Sequence, residues 1–195
     1  MKDVSYALGL TMGGNFKNSG IKELNIEEFA EGLKSIYSGS KPRMTADEAR
    51  EVIDAYFNKL QNEAFEANIK AGKEYLEANK KKEGVITTAS GLQYEILRAG
   101  TGDKPKATNT VRCHYEGRLL DGRIFDSSYQ RNEPADFPVN CVIPGWVEAL
   151  QLMPVGSKWR LHIPSELAYG AQQAGELISP NSTLIFDVEL LEIVK

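Results

Sequence analysis

A carboxylic acid directly after an aromatic ring is the first feature of this sequence that could do chemistry. Phe125 and Asp126 lie near the end of residues 111–128, which read VRCHYEGRLLDGRIFDSS. A carboxylate held against aromatic surface is costly unless it is paired, hydrogen-bonded or used. Asp126 is therefore a candidate functional acid. The alternative is that it only satisfies backbone N–H groups at the end of a strand.

The neighbouring pair Cys113 and His114 raises the question of a nucleophile beside its base. Both lie in a run of alternating apolar and polar residues, VRCHYE, which has the two-residue period of a half-buried strand. Adjacent side chains on a strand point to opposite faces. We therefore expect the thiol and the imidazole not to meet, and we predict no nucleophile here.

The chain contains two cysteines and two histidines. We expect Cys113 and Cys141 to be buried small side chains in a reducing compartment, and a disulfide between them is left open. His114 and His162 fall on strand-like segments, and the cysteines and histidines do not have the spacing of metal ligands. The sequence therefore predicts neither a metal site nor a cofactor.

The bulk composition is that of an ordinary globular protein. The 195 residues are 42% hydrophobic and 26% charged, with a net charge of −4. This balance favours neither nucleic acid nor an anionic membrane as a partner. The sequence has no apolar run near the roughly 18–20 residues of a transmembrane helix, and its first residues lack the apolar stretch of a secretion signal. We expect a cytoplasmic location, or a periplasmic one if an export signal has been removed.

Residues 1–83 have the pattern of an all-helical domain. Asn25 and Thr45 each precede a glutamate by three residues, which is the capping box that opens a helix, and Gly39 predicts the end of the helix between them. The helix after Thr45 carries apolar residues at spacings of three and four and should continue to the lysines at 80–82. Its roughly 38 residues would span about 57 Å.

The second half of that long helix, residues 63–82, is mostly polar, and we expect an exposed strut with Gly72 as a weak point. Three helices also make a thin core for the first half of the chain. We therefore predict a homodimer through residues 1–60, in which two copies cover each other's apolar stripe. The alternative is that the stripe packs within its own chain.

From residue 84 the pattern changes from helix to strand. Alternating apolar and polar residues recur in several short runs and predict about five strands. Residues 129–138 are polar, contain two prolines and predict a mobile or bulged connection, and residues 164–180 predict a loop. One short helix is expected at residues 146–153.

These elements predict an α+β protein in two parts. Residues 1–83 would form the helical dimerisation domain, with its long linking helix, and residues 84–195 an antiparallel sheet wrapped around one short helix. The candidate acid Asp126 would then lie on the sheet, at the end of the strand that follows the hairpin turn at Asp121 and Gly122.

The second part contains four motifs, HYEGRLLDGRIFDSS, VIPGWVEALQLMPVGSKWRLHIP, AYG and TLIFDVELLEI. In this order and spacing over residues 85–195 they resemble the FKBP-type peptidyl-prolyl cis-trans isomerases. The helical part contains the segments YALGLTMGGNF and EFAEGLKSIYSG and the long third helix. These features are similar to the N-terminal dimerisation domain of the bacterial FKBP subgroup that includes the macrophage infectivity potentiator and FklB-like proteins.

The resemblance implies an aromatic pocket with a tryptophan floor that receives the substrate proline. It assigns catalytic roles to Asp126 and Tyr169, and it places Arg131 as the basic partner of the acid. The substrate-binding residues it implies are Tyr115, Phe125, Phe137, Val142, Ile143, Trp146, Ile178 and Phe186. The alternatives are that Asp126 pairs with Arg131 without a catalytic part and that Trp146, Tyr169 and Phe186 are plain core.

The activity implied by the resemblance is rotation of X–Pro bonds in unfolded or partly folded polypeptides, which would assist protein folding. The alternative function is a dimeric holdase-type chaperone that uses the proline pocket to bind clients, with incidental turnover. Either function needs proline-containing polypeptides as partners and no cofactor. The alternating strands and the short helix must supply the pocket in both cases.

Overall fold

The computed structural model describes residues 1–194, and Lys195, the last residue of the predicted second domain, lies outside them. The chain divides into two compact units, Met1–Asn62 and one that begins at Glu63. The first is helical, and the second contains an antiparallel sheet and a short helix. The α+β fold predicted from the sequence is confirmed, whereas the domain boundary at residues 83/84 stays a prediction. No helix of the described residues combines the length and apolar character of a membrane span.

Three helices open the chain: α1 (Lys2–Asn18), α2 (Ile26–Ser38) and α3 (Ala46–Asn79). The side chain of Asn25 caps α2 by accepting two backbone N–H bonds at 3.1 Å. Gly39 ends α2 with a φ of 68°, a left-handed conformation that suits glycine. Thr45 and Glu48 exchange side-chain to backbone hydrogen bonds at 2.7 and 3.2 Å. The predicted helix signals at Asn25, Gly39 and Thr45 are confirmed.

The unit formed by residues 1–62 has no fully buried side chain. Large apolar side chains stay exposed on all three helices, as at Tyr6 (71%), Ile36 (70%) and Ile53 (53%). A folded unit normally depends on apolar surface removed from water. This unit therefore does not cover its apolar side chains by itself.

Within residues 1–194 the sheet has seven strands: β1 (Val85–Thr87), β2 (Gln93–Arg98), β3 (Thr110–Leu119), β4 (Ile124–Ser127), β5 (Ala135–Pro138), β6 (Lys158–Ile163) and β7 (Leu184–Val194). All pairs are antiparallel, the order is β1-β2-β6-β7-β3-β4, and β5 also pairs with β3. The prediction of about five strands is too low. β1 has three residues and β5 has four, so neither is long enough to show a clear alternation. β5 also lies within residues 129–138, which the sequence predicts as a connection.

The core lies between this sheet and α4 (Pro144–Leu152), the one short helix that the sequence predicts. Trp146, Ala149 and Leu150 of α4 are buried in the same cluster as alternate residues of β3 and β7. Pro144 occupies the first turn of α4, where its missing N–H breaks no helical bond. This packing holds the sheet face and the start of α4 together, which is where the candidate site lies.

The end of α3 differs from the prediction. The helix stops at Asn79, and the lysines at 80–82 lie in the turn that follows. Asn79 is buried, and its side-chain amide donates to Oε1 of Gln93 at 3.0 Å. This tertiary bond fixes the last helical residue, and the lysines lie beyond the helix end that they were expected to stabilise.

The prediction of an exposed strut for the second half of α3 is wrong. Asn68 donates to the carbonyl oxygen of Pro180 at 2.9 Å, and Gln93 donates to the carbonyl oxygen of Leu76 at 2.9 Å. Gly72 is buried, and a Cβ there would collide with the side chain of Thr183. The glycine is therefore a point where α3 closely approaches the segment that leads into β7, within the second unit. Hydropathy does not reveal these contacts because most of them are polar.

Candidate functional site

A cavity of about 680 Å³ opens beside α4 in the C-terminal unit. Aromatic and aliphatic side chains make up most of its wall. All ten residues that the resemblance assigns to the pocket line it: Tyr115, Phe125, Asp126, Phe137, Val142, Ile143, Trp146, Tyr169, Ile178 and Phe186. The fold therefore brings together side chains from strands, from α4 and from the loop before β7.

Trp146 is the centre of a group of edge-to-face rings. Its ring centroid lies 5.4 Å from those of Tyr115 and Phe137 and 5.3 Å from that of Phe186, with interplanar angles of 75–84°. Phe125 meets Phe186 in the same way at 5.4 Å. Edge-to-face contacts of this kind are favourable beyond the area they bury. They hold the rings in fixed orientations around the cavity.

Gly117 on β3 allows two of these rings to come close to the backbone. A Cβ at this position would lie 2.5 Å from the ring of Phe125 and 2.7 Å from that of Phe186. Both distances are too short for carbon atoms, so any larger residue would push the rings out of place. Steric exclusion of a larger side chain therefore explains the glycine in the motif HYEGRLLDG.

Asp126, the acid singled out by the sequence, is held by two neighbours. One carboxylate oxygen accepts a hydrogen bond from the hydroxyl of Tyr115 at 2.5 Å, and the other accepts one from Nη1 of Arg131. Arg131 also donates through Nη2 to the Tyr115 hydroxyl at 2.8 Å. The three side chains form a closed hydrogen-bond network at one wall of the cavity.

The charges of this network follow from its contacts. Burial opposes ionisation of Asp126, but the hydrogen bonds from Tyr115 and Arg131 outweigh it and lower the pKa of the carboxyl. Burial, together with the hydrogen bond to Asp126, raises the pKa of the Tyr115 phenol. At neutral pH the wall therefore carries a carboxylate whose charge is matched by a guanidinium.

Tyr169 and Ile178 enter the cavity from the loop before β7. Ile178 is buried, whereas Tyr169 is 39% exposed. In residues 1–194 the hydroxyl of Tyr169 has no hydrogen-bond partner. It is therefore free to donate a hydrogen bond to a molecule that enters the cavity.

Several lining residues were not predicted as site residues. They are Cys141, Gly175, Glu176 and Leu177, whereas Ala174, which also lines the cavity, lies in the loop that the resemblance places at the pocket rim. Gly175, Glu176 and Leu177 lie in a segment where no periodic pattern marks the residues that face a site. Cys141 corrects a prediction as well, because it is exposed rather than buried. It ends a short 3-10 turn, Val139–Cys141, at the cavity wall.

The remaining thiol and imidazoles lie outside the cavity. Cys113 is buried, and burial raises the pKa of its thiol to about 12. The ring of His114 stacks on Tyr129, and its Nδ1 lies 2.9 Å from Oγ of Ser128. In the described part of the chain, no three Cys, His, Asp or Glu side chains are grouped so that they could hold a metal ion.

Two family models match this chain. Residues 102–191 match the FKBP-type peptidyl-prolyl cis-trans isomerase, and residues 1–96 match the domain amino terminal to FKBP-type peptidyl-prolyl isomerase. The first range contains all ten cavity residues predicted above. The two matches together cover the helical part and the sheet.

Individual relatives agree along almost the whole chain. The FKBP-type 22 kDa peptidyl-prolyl cis-trans isomerase of Escherichia coli is 49% identical over 97% of this chain and 94% of its own. The outer membrane protein MIP of Legionella longbeachae is 42% identical over 98% of this chain and 85% of its own. The crystal structure of FkpA from Escherichia coli has a TM-score of 0.80 at 36% identity and covers 98% of this chain and 95% of its own.

These matches support the isomerase prediction rather than the holdase alternative. The helical N-terminal part and the part that carries the aromatic cavity both match proteins of one family. The chain belongs to the FKBP-type peptidyl-prolyl cis-trans isomerases, and its activity is rotation of the peptide bond that precedes proline.

Proposed function

We propose that the cavity around Trp146 binds the proline ring of a polypeptide and lowers the barrier to rotation of the X–Pro bond. The single observation that carries this proposal is the set of rings held edge to face around that tryptophan. An X–Pro bond populates both isomers but exchanges them over tens of seconds or longer. The barrier is about 18–20 kcal/mol because the C–N bond has partial double-bond character.

Rotation breaks no bond and needs no nucleophile. The twisted state has lost amide resonance, and its carbonyl is less polarised than that of the planar state. An apolar cavity that excludes water therefore suits the twisted state better. Each tenfold gain in rate requires about 1.4 kcal/mol of such differential binding. Tyr115, Phe125, Phe137 and Phe186 would hold the ring, with Val142, Ile143 and Ile178 completing the apolar wall.

Asp126 and Tyr169 would supply the polar contacts of this site. The unpartnered hydroxyl of Tyr169 would donate a hydrogen bond to a substrate carbonyl. The carboxylate of Asp126 has both oxygens engaged by Tyr115 and Arg131, which supports a role in fixing these side chains and in orienting the twisting amide electrostatically. Proton transfer by Asp126 is not required for this role.

We infer that the substrates are proline-containing segments of unfolded or partly folded proteins, because the cavity is open to a chain and needs no cofactor. The test is isomerase activity on X–Pro peptides, measured without a coupling protease by exchange NMR. Wild-type protein at micromolar concentration should speed the cis-trans exchange, and Trp146→Ala should lose most of the gain. Exchange at the uncatalysed rate with wild-type protein would overturn the proposal.

We further propose a homodimer through residues 1–60. This part of the chain leaves most of its large apolar side chains exposed and fully buries none of them, and a second copy of the same surface would cover the exposed ones. For the location we keep the sequence-based proposal of the cytoplasm, or of the periplasm if an export signal has been removed. Cell fractionation with an antibody to the native protein distinguishes the two.

A further inference from the structure

The mouth of the cavity carries one carboxylate that the network at Asp126 does not include. Among residues 1–194, Asp126 and Glu176 are the charged residues of the cavity wall, and no lysine, arginine or histidine of this range lines it. Arg131 neutralises Asp126. Glu176 is exposed, and its side chain makes no ion pair or hydrogen bond within residues 1–194. The unmatched charge at the mouth is therefore negative.

A short turn fixes Glu176 in this place. Ala174 and Ile178 exchange backbone hydrogen bonds at 3.0 and 3.3 Å and close a loop of three residues between them. Ile178 anchors the loop because it is 6% exposed, and Gly175 has a φ of 58°, which lets the chain reverse. Leu177 follows Glu176 in the turn and is 37% exposed.

We propose that Glu176 and Leu177 form a subsite for a lysine or arginine next to the substrate proline. This inference rests on the proposed binding of proline in the cavity. Lysine and arginine have an apolar stem and a charged end, and the two neighbouring side chains offer an apolar contact and an opposite charge. A glutamate or aspartate at the same substrate position is repelled by Glu176.

The effect has the size of an exposed ion pair. Such pairs contribute about 0.2–1 kcal/mol, so we expect a preference of roughly 1.4- to fivefold in kcat/KM for a basic over an acidic neighbour of proline. The preference should nearly vanish at 1 M salt, where the Debye length is about 3 Å. A steric preference would not depend on salt in this way.

The experiment measures kcat/KM by exchange NMR on two matched pairs of peptides, Ala-Lys-Pro-Phe with Ala-Glu-Pro-Phe and Ala-Ala-Pro-Lys with Ala-Ala-Pro-Glu. A protease-free method is needed because a coupling protease has its own charge preference. Wild-type protein should favour the lysine peptide in one pair, and that pair tells which side of proline the subsite serves. In that pair Glu176→Gln should bring the ratio of lysine to glutamate peptide close to one, and Glu176→Lys should reverse it.

Glu166→Gln is the matched control, because Glu166 is also an exposed glutamate between β6 and β7 but does not line the cavity. Its ratio should equal that of the wild type. A wild-type ratio of one in both pairs, or ratios that Glu176→Gln leaves unchanged, would overturn the subsite while isomerase activity persists. Uncatalysed exchange of all four peptides would instead overturn the proposed function, so the two failures are distinguishable.

Discussion

The hydroxyl oxygen of Tyr75 on α3 lies 2.7 Å from Nδ1 of His162 on β6. The other ring nitrogen, Nε2, lies 2.8 Å from Oε1 of Glu95 on β2. His162 is 2% exposed. In the neutral ring, Nε2–H donates to the carboxylate and Nδ1 accepts from the phenol. This chain of three side chains joins the second half of α3 to two strands of the sheet.

Tyr75→Phe should destabilise the C-terminal unit. The change removes the O–H group and leaves Nδ1 of a buried histidine without its donor, which costs about 1–3 kcal/mol. The measurement is the thermal midpoint of the full-length protein by calorimetry. Tyr169→Phe is the matched control, because its hydroxyl is exposed and unpartnered, and its midpoint should equal that of the wild type. Equal midpoints for both variants would contradict the role of Tyr75.

The pH dependence of stability follows from His162. Burial lowers the pKa of the imidazole below its ordinary value of about 6.5, and this outweighs the opposing effect of Glu95, while Arg160 and Lys82 lower the pKa further. The unfolded chain therefore takes up the proton first as the pH falls. The contribution of His162 is complete above about pH 6.5 and is lost as the pH falls towards the folded-state pKa.

The corresponding measurement compares urea unfolding at pH 7.5 and pH 5.0 in wild type and in His162→Gln. The wild type should lose more stability between the two values than the variant, because the variant lacks the titrating group. Carboxyl groups titrate in both proteins and cancel in the comparison. The same loss in both proteins would show that His162 does not titrate in this range.

Asp126→Ala should lower kcat/KM by about tenfold or more. The variant leaves Arg131 and the Tyr115 hydroxyl without their acceptor, and hydrogen bonds to charged groups contribute about 1.5–3 kcal/mol. The fall should appear in exchange NMR on Ala-Ala-Pro-Phe. Asp136→Ala is a suitable control, since that acid also pairs with an arginine, Arg112, but does not line the cavity. Equal rates in Asp126→Ala and wild type would assign Asp126 no part in catalysis.

Tyr169→Phe should lower kcat/KM by about two- to tenfold, because one neutral hydrogen bond to the substrate contributes about 0.5–1.5 kcal/mol. The thermal midpoint of the same variant is the stability control, because it should equal that of the wild type. A variant as active as wild type would mean that the ring packs beside the substrate without a hydrogen bond.

Ile36→Glu should convert the proposed dimer to a monomer. Ile36 is 70% exposed on α2, and a carboxylate at an apolar interface between copies would be desolvated without a partner. Sedimentation velocity of the full-length protein measures the change. Lys34→Glu, at an exposed polar position on the same helix, should remain dimeric. A dimer that survives Ile36→Glu would argue against an interface that includes α2.

Local signals in the sequence predict local structure well. The caps at Asn25 and Thr45 and the stop at Gly39 depend on residues within one turn of the helix end, so they can be read without knowledge of the rest of the fold. The alternation in β3 and β7 predicts their buried faces for the same reason. The cavity residues were found through motifs whose order matches a family.

Contacts between distant polar residues could not be predicted in this way. Tyr75 and His162 are 87 positions apart, and a polar pair leaves no periodic pattern in either segment. The exposed strut was therefore a wrong prediction for the second half of α3. The turn that brings Glu176 to the cavity was missed because it depends on two backbone bonds between Ala174 and Ile178.

The two thiols of the chain differ in a way that an experimenter can use. Cys113 is sealed in the core with its pKa raised to about 12, whereas Cys141 is exposed at the cavity wall. A maleimide dye added to the native protein will therefore couple at Cys141 alone. The chain thus carries a natural attachment point for a fluorescent reporter at the wall of the proposed substrate site.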